Sequence, residues 1–401
     1  MTKELLPPNV PILLDGKPVE QITAFLVDKG GNDDPHQLLA NEGKSFIGSY
    51  VLGMGFTFDD TSSDATPIAE MHRLIEENPK NQECIFPYIG GEEVNKSPTH
   101  AYHRYVINFG EMTEEEAREY PDLMAIVEEK VKPERDKLKL NNSTQKRRRQ
   151  YWWQYGSTAK NLYNAIAQRD RVLVISCGAT AHLALTFLPA NCVFANTLAV
   201  FPLETYSEFA ILQSRIHENW ARFFGSSMKD DLRYTPQDCF QTFPFPKNWE
   251  TDPTLEEIGE TYYTFRADLM ERNNEGLTDT YNRFHNPDET DSDILKLRQL
   301  HDQLDQAVFN AYGWDYLTPT CEFLLDYEED DDTSNRKKPY RYRWNDEFQD
   351  EILARLLDLN KQRHEEEMLR GEKGKKTTKS RGRKKKQESS NTLDLDYSAD
   401  Q

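Results

Sequence analysis

The chain has 401 residues, 69 acidic against 49 basic for a net charge of -20, with 37% hydrophobic residues and a mean hydropathy of -0.82. That composition describes a soluble chain of two or three domains with a modest core. No run approaches the ~18 apolar residues of a membrane span, and the start MTKELLPPNVPILLDGK lacks a basic end ahead of an apolar run, so the cytoplasm is the default.

Five scattered cysteines, Cys84, Cys177, Cys192, Cys239 and Cys321, form no C-x-x-C pair, which argues against a disulfide framework and a zinc site. The net charge disfavours a polyanionic partner, because DNA binding is driven largely by lysine and arginine meeting phosphates. Distribution matters more than the sum. Acid gathers at residues 111–119, 251–260 and 327–332, and base at 146–149, 215–233 and in the tail, so a DNA-facing groove on an acidic body is compatible with the sequence.

In chain order, residues 43–60 alternate as a glycine-rich strand pair. Gly53-Met54-Gly55 there lacks the helix start and the later acidic residue of a nucleotide loop, so it reads as a structural turn. A short helix over 65–78 follows, then a strand over 84–93 that runs into a Gly-Gly turn. Residues 101–109 have the β-branched and aromatic content of another strand. His100 and His103 lack a carboxylate or cysteine at ligand spacing and read as structural. Thr113-x-x-Glu116 is a capping box, Pro121 interrupts its helix, and 122–138 continues helical. Asp122, Glu128 and Lys130 resemble a nuclease set only superficially. Such groups must converge on a metal from strands, whereas these share one periodic helix.

The run KRRRQYWWQY, 146–155, sets Arg147, Arg148 and Arg149 beside Trp152 and Trp153. Guanidinium groups suit phosphate, while the tryptophans are either stacking faces for bases or core anchors. Three short buried strands read over 171–177, 181–187 and 192–200. Phe209, Leu212, Ile216, Trp220 and Phe223 then recur at helical spacing ahead of Gly225, giving one amphipathic helix whose other face carries Arg215, His217 and Arg222. Arg233 and Tyr234 follow in a polar loop, and Pro244 and Pro246 close the segment. Helices over 255–273, 294–312 and 340–366 come next. Residues 372–386 hold nine basic residues and one acid, a low-complexity tail expected to be disordered; it would tether the protein to DNA by charge or serve only as a solubilising extension.

Ser214-x-x-His217-x-x-Trp220-x-Arg222, Arg233-Tyr234-Thr235 and Phe240-x-Thr242-Phe243-Pro244-Phe245-Pro246 together resemble the end of the target-recognition domain of MmeI-like restriction-modification enzymes and related adenine methyltransferases. SYVLGMGF from Ser49, PYIGGEE from Pro87, YPDLMAIVEEKVKPER from Tyr120 and LRQLHDQLDQAVFNAYGW from Leu297 are similar to further parts of that family. The likeness runs from about Phe46 to Glu366 and covers only the family's C-terminal half.

The resemblance implies a protein of a phage-defence system that reads double-stranded DNA through Arg147, Arg148, Arg149, Trp152, Trp153, Arg215, His217, Arg222, Arg233 and Tyr234. An amino-methylating enzyme also needs an Asn/Asp/Ser-Pro-Pro-aromatic loop around the flipped base. The sequence has a single Pro-Pro, Pro7-Pro8, set between Leu6 and Asn9. We therefore expect no catalytic, cofactor-binding or metal residue in this chain, with S-adenosylmethionine held by a methyltransferase subunit or upstream half. The expected architecture is α+β: an N-terminal segment 1–42, a recognition domain 43–246, a helical region 247–370 and the tail 371–401. A complete enzyme with an unrecognised active site and a degenerate remnant stay open as alternatives.

Overall fold

The computed structural model describes residues 12–14, 17–19, 21–23, 33–178, 180–228, 231–325 and 340–371. The acidic run at 327–332 and the basic tail beyond Gly371 lie outside the described residues.

A hairpin, β1 (Ile12–Leu14) with β2 (Lys17–Val19), stands first. The first lobe then follows in sequence: β3 (Phe46–Ile47), β4 (Thr57–Phe58), α1 (Ile68–Glu77), β5 (Ile85–Ile89), α2 (Gly91–Lys96), β6 (Arg104–Ile107), α3 (Glu114–Ala117), α4 (Pro121–Lys130), α5 (Lys132–Asp136) and α6 (Ser143–Gln150). Local chemistry sets several of these bounds. Thr113 Oγ1 accepts from the Glu116 N–H at 3.3 Å while the Glu116 carboxylate accepts from the Thr113 N–H at 2.8 Å, the capping box that starts α3. Pro121 opens α4, where its missing N–H costs nothing. Strands β4, β6 and β5 run antiparallel, and their inner face buries Phe56, Phe58, Val106, Leu123, Met124 and Val127.

Residues 43–60 do not make the expected strand pair, because β3 leaves for the second sheet and β4 joins the first. Gly48 is the crossing point. A Cβ there would lie 2.2 Å from the Ala195 carbonyl oxygen, so only glycine lets the two backbones touch.

The second lobe continues through α7 (Lys160–Ile166), β7 (Arg171–Ser176), β8 (Leu185–Pro189), β9 (Val193–Phe194) and β10 (Leu198–Phe201). Its sheet has the order β3-β10-β7-β8, all antiparallel. Strand β9 crosses to pair in parallel with β5, tying the two sheets together. The single amphipathic helix expected here is two, α8 (Tyr206–Gln213) and α9 (Arg215–Phe224). Ser214 breaks them: its backbone is extended, and its hydroxyl donates to the Ile211 carbonyl and accepts from the His217 N–H, capping α9. The hairpin β11 (Ser226–Met228) with β12 (Asp231–Arg233) follows. Then come α10 (Pro253–Asn273), α11 (Leu277–Phe284), α12 (Ser292–Tyr312), β13 (Glu322–Leu325), β14 (Tyr340–Arg343) and α13 (Asp346–Leu369).

The expected line at 246/247 is a change of secondary structure and not of core. One apolar cluster runs from Ile89 through Trp220 and Phe243 to Leu297 and Leu357. Its seams are polar. The Asn360 amide donates to the His36 and Thr242 carbonyls at 2.8 and 2.6 Å, and the Glu367 carboxylate accepts from the Leu39 and Ala40 N–H groups. The last helix thus closes over both the start and the end of the preceding fold.

Candidate nucleic-acid interface

Helix α9 was the strongest candidate for a DNA-facing surface, and its polar face is inside the protein. Arg215, 5% exposed, donates to Asp302 Oδ1 at 2.9 Å and to Asp305 Oδ2 at 2.7 Å, and its backbone N–H donates to Asp305 Oδ1. Burial opposes its charge, yet the Asp305 carboxylate outweighs that and holds the guanidinium above its ordinary pKa. His217 and Tyr234 face each other in the interior, Nε2 to hydroxyl 3.0 Å. Burial pushes the imidazole down to about 3, so His217 is a neutral hydrogen-bonding group. Arg215, His217 and Tyr234 are therefore corrected from interface to core: α12 supplies the acids for Arg215, while His217 packs on Phe243 and Tyr234 on Phe201. Phe223 departs in the opposite sense. Placed by periodicity on the buried side, it is 41% exposed.

Trp152 and Trp153 are corrected likewise. Both are 6% exposed and pack edge to face at 5.9 Å; Trp153 Nε1 donates to the Met112 carbonyl, and Lys132 Nζ lies 4.6 Å above the Trp152 ring. Neither ring can stack on a base from there.

The other arginines reach the surface in two places. On the second lobe, half-buried Arg222 donates to Glu218 at 2.8 Å and to the Ala181 carbonyl at 2.7 Å, the same oxygen that Arg341 of β14 binds at 2.7 Å. The loop so held exchanges backbone hydrogen bonds between Thr180 and Leu232, which fixes strand β12. At the end of β12 the Arg233 side chain is exposed. On the first lobe, α6 starts at Asn142, whose side-chain Oδ1 accepts the Gln145 N–H at 2.8 Å. Arg147 donates to the Gly156 carbonyl at 3.2 Å, Arg148 is half-buried with its pKa lowered by that burial, and Arg149 is exposed with Asp136 3.8 Å away. An exposed pair at that distance contributes little.

Sequence reasoning missed Arg135. It is 1% exposed and reaches the carbonyls of Gln154, Tyr151, Val51 and Leu52, its pKa lowered to about 10 by burial and by neighbouring Arg148 and Arg147. It also missed the breadth of the basic region. Residues 130–150 hold nine Lys and Arg against Glu134 and Asp136, a net of +7, which a windowed charge count would have found. Among the described residues no group of His, Cys, Asp and Glu could hold a metal, the cysteines are free, and no helix is long and apolar enough to cross a membrane.

Residues 51–247 match the family model described as MmeI, target recognition domain. This segment is an MmeI-like target recognition domain. A solved structure of the type IIL restriction-modification enzyme MmeI in complex with DNA superposes with a TM-score of 0.59 at 18% identity, over 87% of this chain and 39% of that one. At that identity the likeness is one of fold, and the mixed α and β architecture expected from the sequence is the one found. DNA methyltransferase A of Bacillus subtilis (strain 168) is 27% identical over 132 residues, 33% of this chain and 14% of that protein. The matches thus span well under half the length of either relative.

Proposed function

We propose that the chain reads duplex DNA for a restriction-modification system, as the target-recognition part of an S-adenosylmethionine-dependent adenine methyltransferase whose transfer chemistry resides outside these residues. The match of residues 51–247 to the MmeI target recognition domain carries this reading. The geometry is consistent with it in two respects. Exposed basic side chains of the 130–150 stretch, Lys146 and Arg149 among them, suit phosphate contacts, which set register and orientation. Arg233 stands exposed on a strand whose position Arg222 and Arg341 fix through the Ala181 loop. A guanidinium so placed suits the O6 and N7 acceptors of guanine in the major groove.

The Gly53-Met54-Gly55 turn is not shaped for the cofactor. Met54 to Phe56 form a 3-10 turn, and a Cβ on Gly55 would meet Lys130 Cβ at 2.5 Å, so the turn is packed against α4 and forms no nucleotide cradle. Methyl transfer needs a partner that flips the adenine, working in the cytoplasm and, in such systems, in defence against phage.

Selection from a randomised duplex library, with and without a methyltransferase-bearing partner, tests the reading, alongside calorimetry with S-adenosylmethionine. Enrichment of one short sequence and no cofactor binding are expected. Saturable cofactor binding or methyl transfer by this chain alone would establish a complete enzyme instead.

A further inference from the structure

Tyr50, Leu52 and Met54, at alternate positions, are 42%, 43% and 38% exposed, and Tyr151 beside them is 36% exposed. The backbone beneath is held firmly. Arg135 donates to the Val51 and Leu52 carbonyls at 3.4 Å each, and Tyr50 and Ser157 exchange backbone hydrogen bonds. Gly156 abuts the ridge so closely that a Cβ would lie 2.5 Å from Leu52 Cδ1. Leu52 itself has φ +50°, a left-handed conformation that leucine rarely adopts. Strain is therefore spent to point an apolar side chain at solvent, the kind of local cost that collects at ligand contacts.

The setting of this ridge is basic. Arg147 donates to the Gly156 carbonyl and lies 5.7 Å from the Tyr151 ring, so the ridge adjoins α6, on which Lys146 and Arg149 are exposed. An apolar ridge alone would suit a protein. Framed by that positive charge, it suits a polyanion with apolar surface between its phosphates, which is a DNA groove.

We propose that the Tyr50–Leu52–Met54 ridge enters a groove of the duplex, with Leu52 and Met54 against sugars and base edges while Lys146 and Arg149 hold the flanking phosphates. The inference rests on the DNA-recognition reading and adds to it a contact on the first lobe, separate from Arg233. Leu52→Asn is the informative variant, since asparagine tolerates the left-handed backbone better than leucine and removes the apolar side chain. Its melting temperature should stay level or rise. Its affinity for duplex should fall about tenfold, the scale of one lost apolar contact with a base. The salt dependence should keep its slope, because no phosphate contact is lost; Lys146→Ala with Arg149→Ala should instead reduce the slope by about 2.

A folded Leu52→Asn protein with wild-type affinity overturns the proposal. So does a variant that binds DNA normally yet loses a methyltransferase-bearing partner, which would make the ridge a protein contact. If Arg233→Ala alters specificity while the ridge variants change nothing, the recognition reading stands and the ridge falls. A wild-type chain that binds no duplex at low salt removes both.

Discussion

Helices α6 and α9 both carry arginines, and the fold treats them in opposite ways. No residue of α6 is buried, whereas α9 buries Arg215, Ile216, His217, Trp220 and Ala221. Part of the difference lies in the sequences, since α9 carries Ile216, Trp220 and Ala221 on its buried side and α6 has no apolar residue; the rest lies in what packs against them. Helix α12 brings Asp302 and Asp305 against α9, so the Arg215 charge enters the interior already paired. Near α6 the acids are Glu134, which acts on Arg148, and Asp136, 3.8 Å from Arg149 and itself exposed, while Arg147 donates to neutral oxygens. Of these two helices, the arginine that meets acids goes inside and those that meet neutral oxygens or an exposed acid stay near the surface, whereas Arg135 is buried against backbone carbonyls.

The largest test of this contrast is acid. His182, His217, His285 and His301 are all buried in the second lobe, and burial lowers every one of their pKa values, His182 to about 4 and His217 to about 3. Each binds a proton in the unfolded chain below about 6.5 but not in the folded one until far lower, so stability is complete above that pH and falls as the pH drops. Each histidine lowers stability by at most about 1.4 kcal/mol per pH unit over the range where only the unfolded chain binds its proton, while Asp305, whose pKa burial raises to about 6, acts in the opposite sense. Denaturant titrations at pH 7.5 and 5.5 should show the second lobe weakening first. Equal stability at the two values would mean that these rings are not buried and neutral.

Next in size are the core substitutions. Trp220, whose Nε1 donates to Thr242, is completely buried, and Trp220→Ala should cost about 3–5 kcal/mol. Arg215→Ala should cost a similar ~3–5 kcal/mol by leaving buried Asp305, whose pKa burial already raises to about 6, without its partner. Arg149→Ala, on the exposed counterpart, should stay within about 0.5 kcal/mol of wild type. Similar melting temperatures for the two arginine variants would erase the distinction between the helices.

Smaller effects concern binding. Arg233→Ala should leave the fold intact and cost about 1–3 kcal/mol at one base position, relaxing discrimination there. A uniform loss across all sequences would make Arg233 a phosphate contact. Smallest of all, Arg149→Ala should weaken every duplex alike and lower the salt slope by about 1, read from binding curves at several salt concentrations.

Much of the framework was legible because it rests on local signals. The Thr113 capping box, the helical break ahead of Pro121, the Arg171 to Ser176 strand and the α12 periodicity all appear where composition and spacing place them. The interface was read less well, for two physical reasons. Periodicity shows that a helix has a polar side but not whether a later helix will cover it, so Arg215 and His217 were assigned to the wrong environment. Adjacency of Arg147–Arg149 to Trp152 and Trp153 suggested a joint surface, yet α6 ends at Gln150 and the chain turns, sending the rings into the core. The exposed apolar side chains beside those arginines belong to residues 50–54, about 95 positions earlier, a juxtaposition that the tertiary fold alone creates.

The hydrogen bonds of Asn360 and Glu367 bear on how recognition could be moved between enzymes. An exchange of residues 51–247 alone would sever the Asn360 amide from the Thr242 carbonyl, strip Arg215 of Asp302 and Asp305, and uncover the apolar underside of α10 and α12. What such a graft must carry is the stretch from His36 to Glu367, with its beginning and end still bonded to each other.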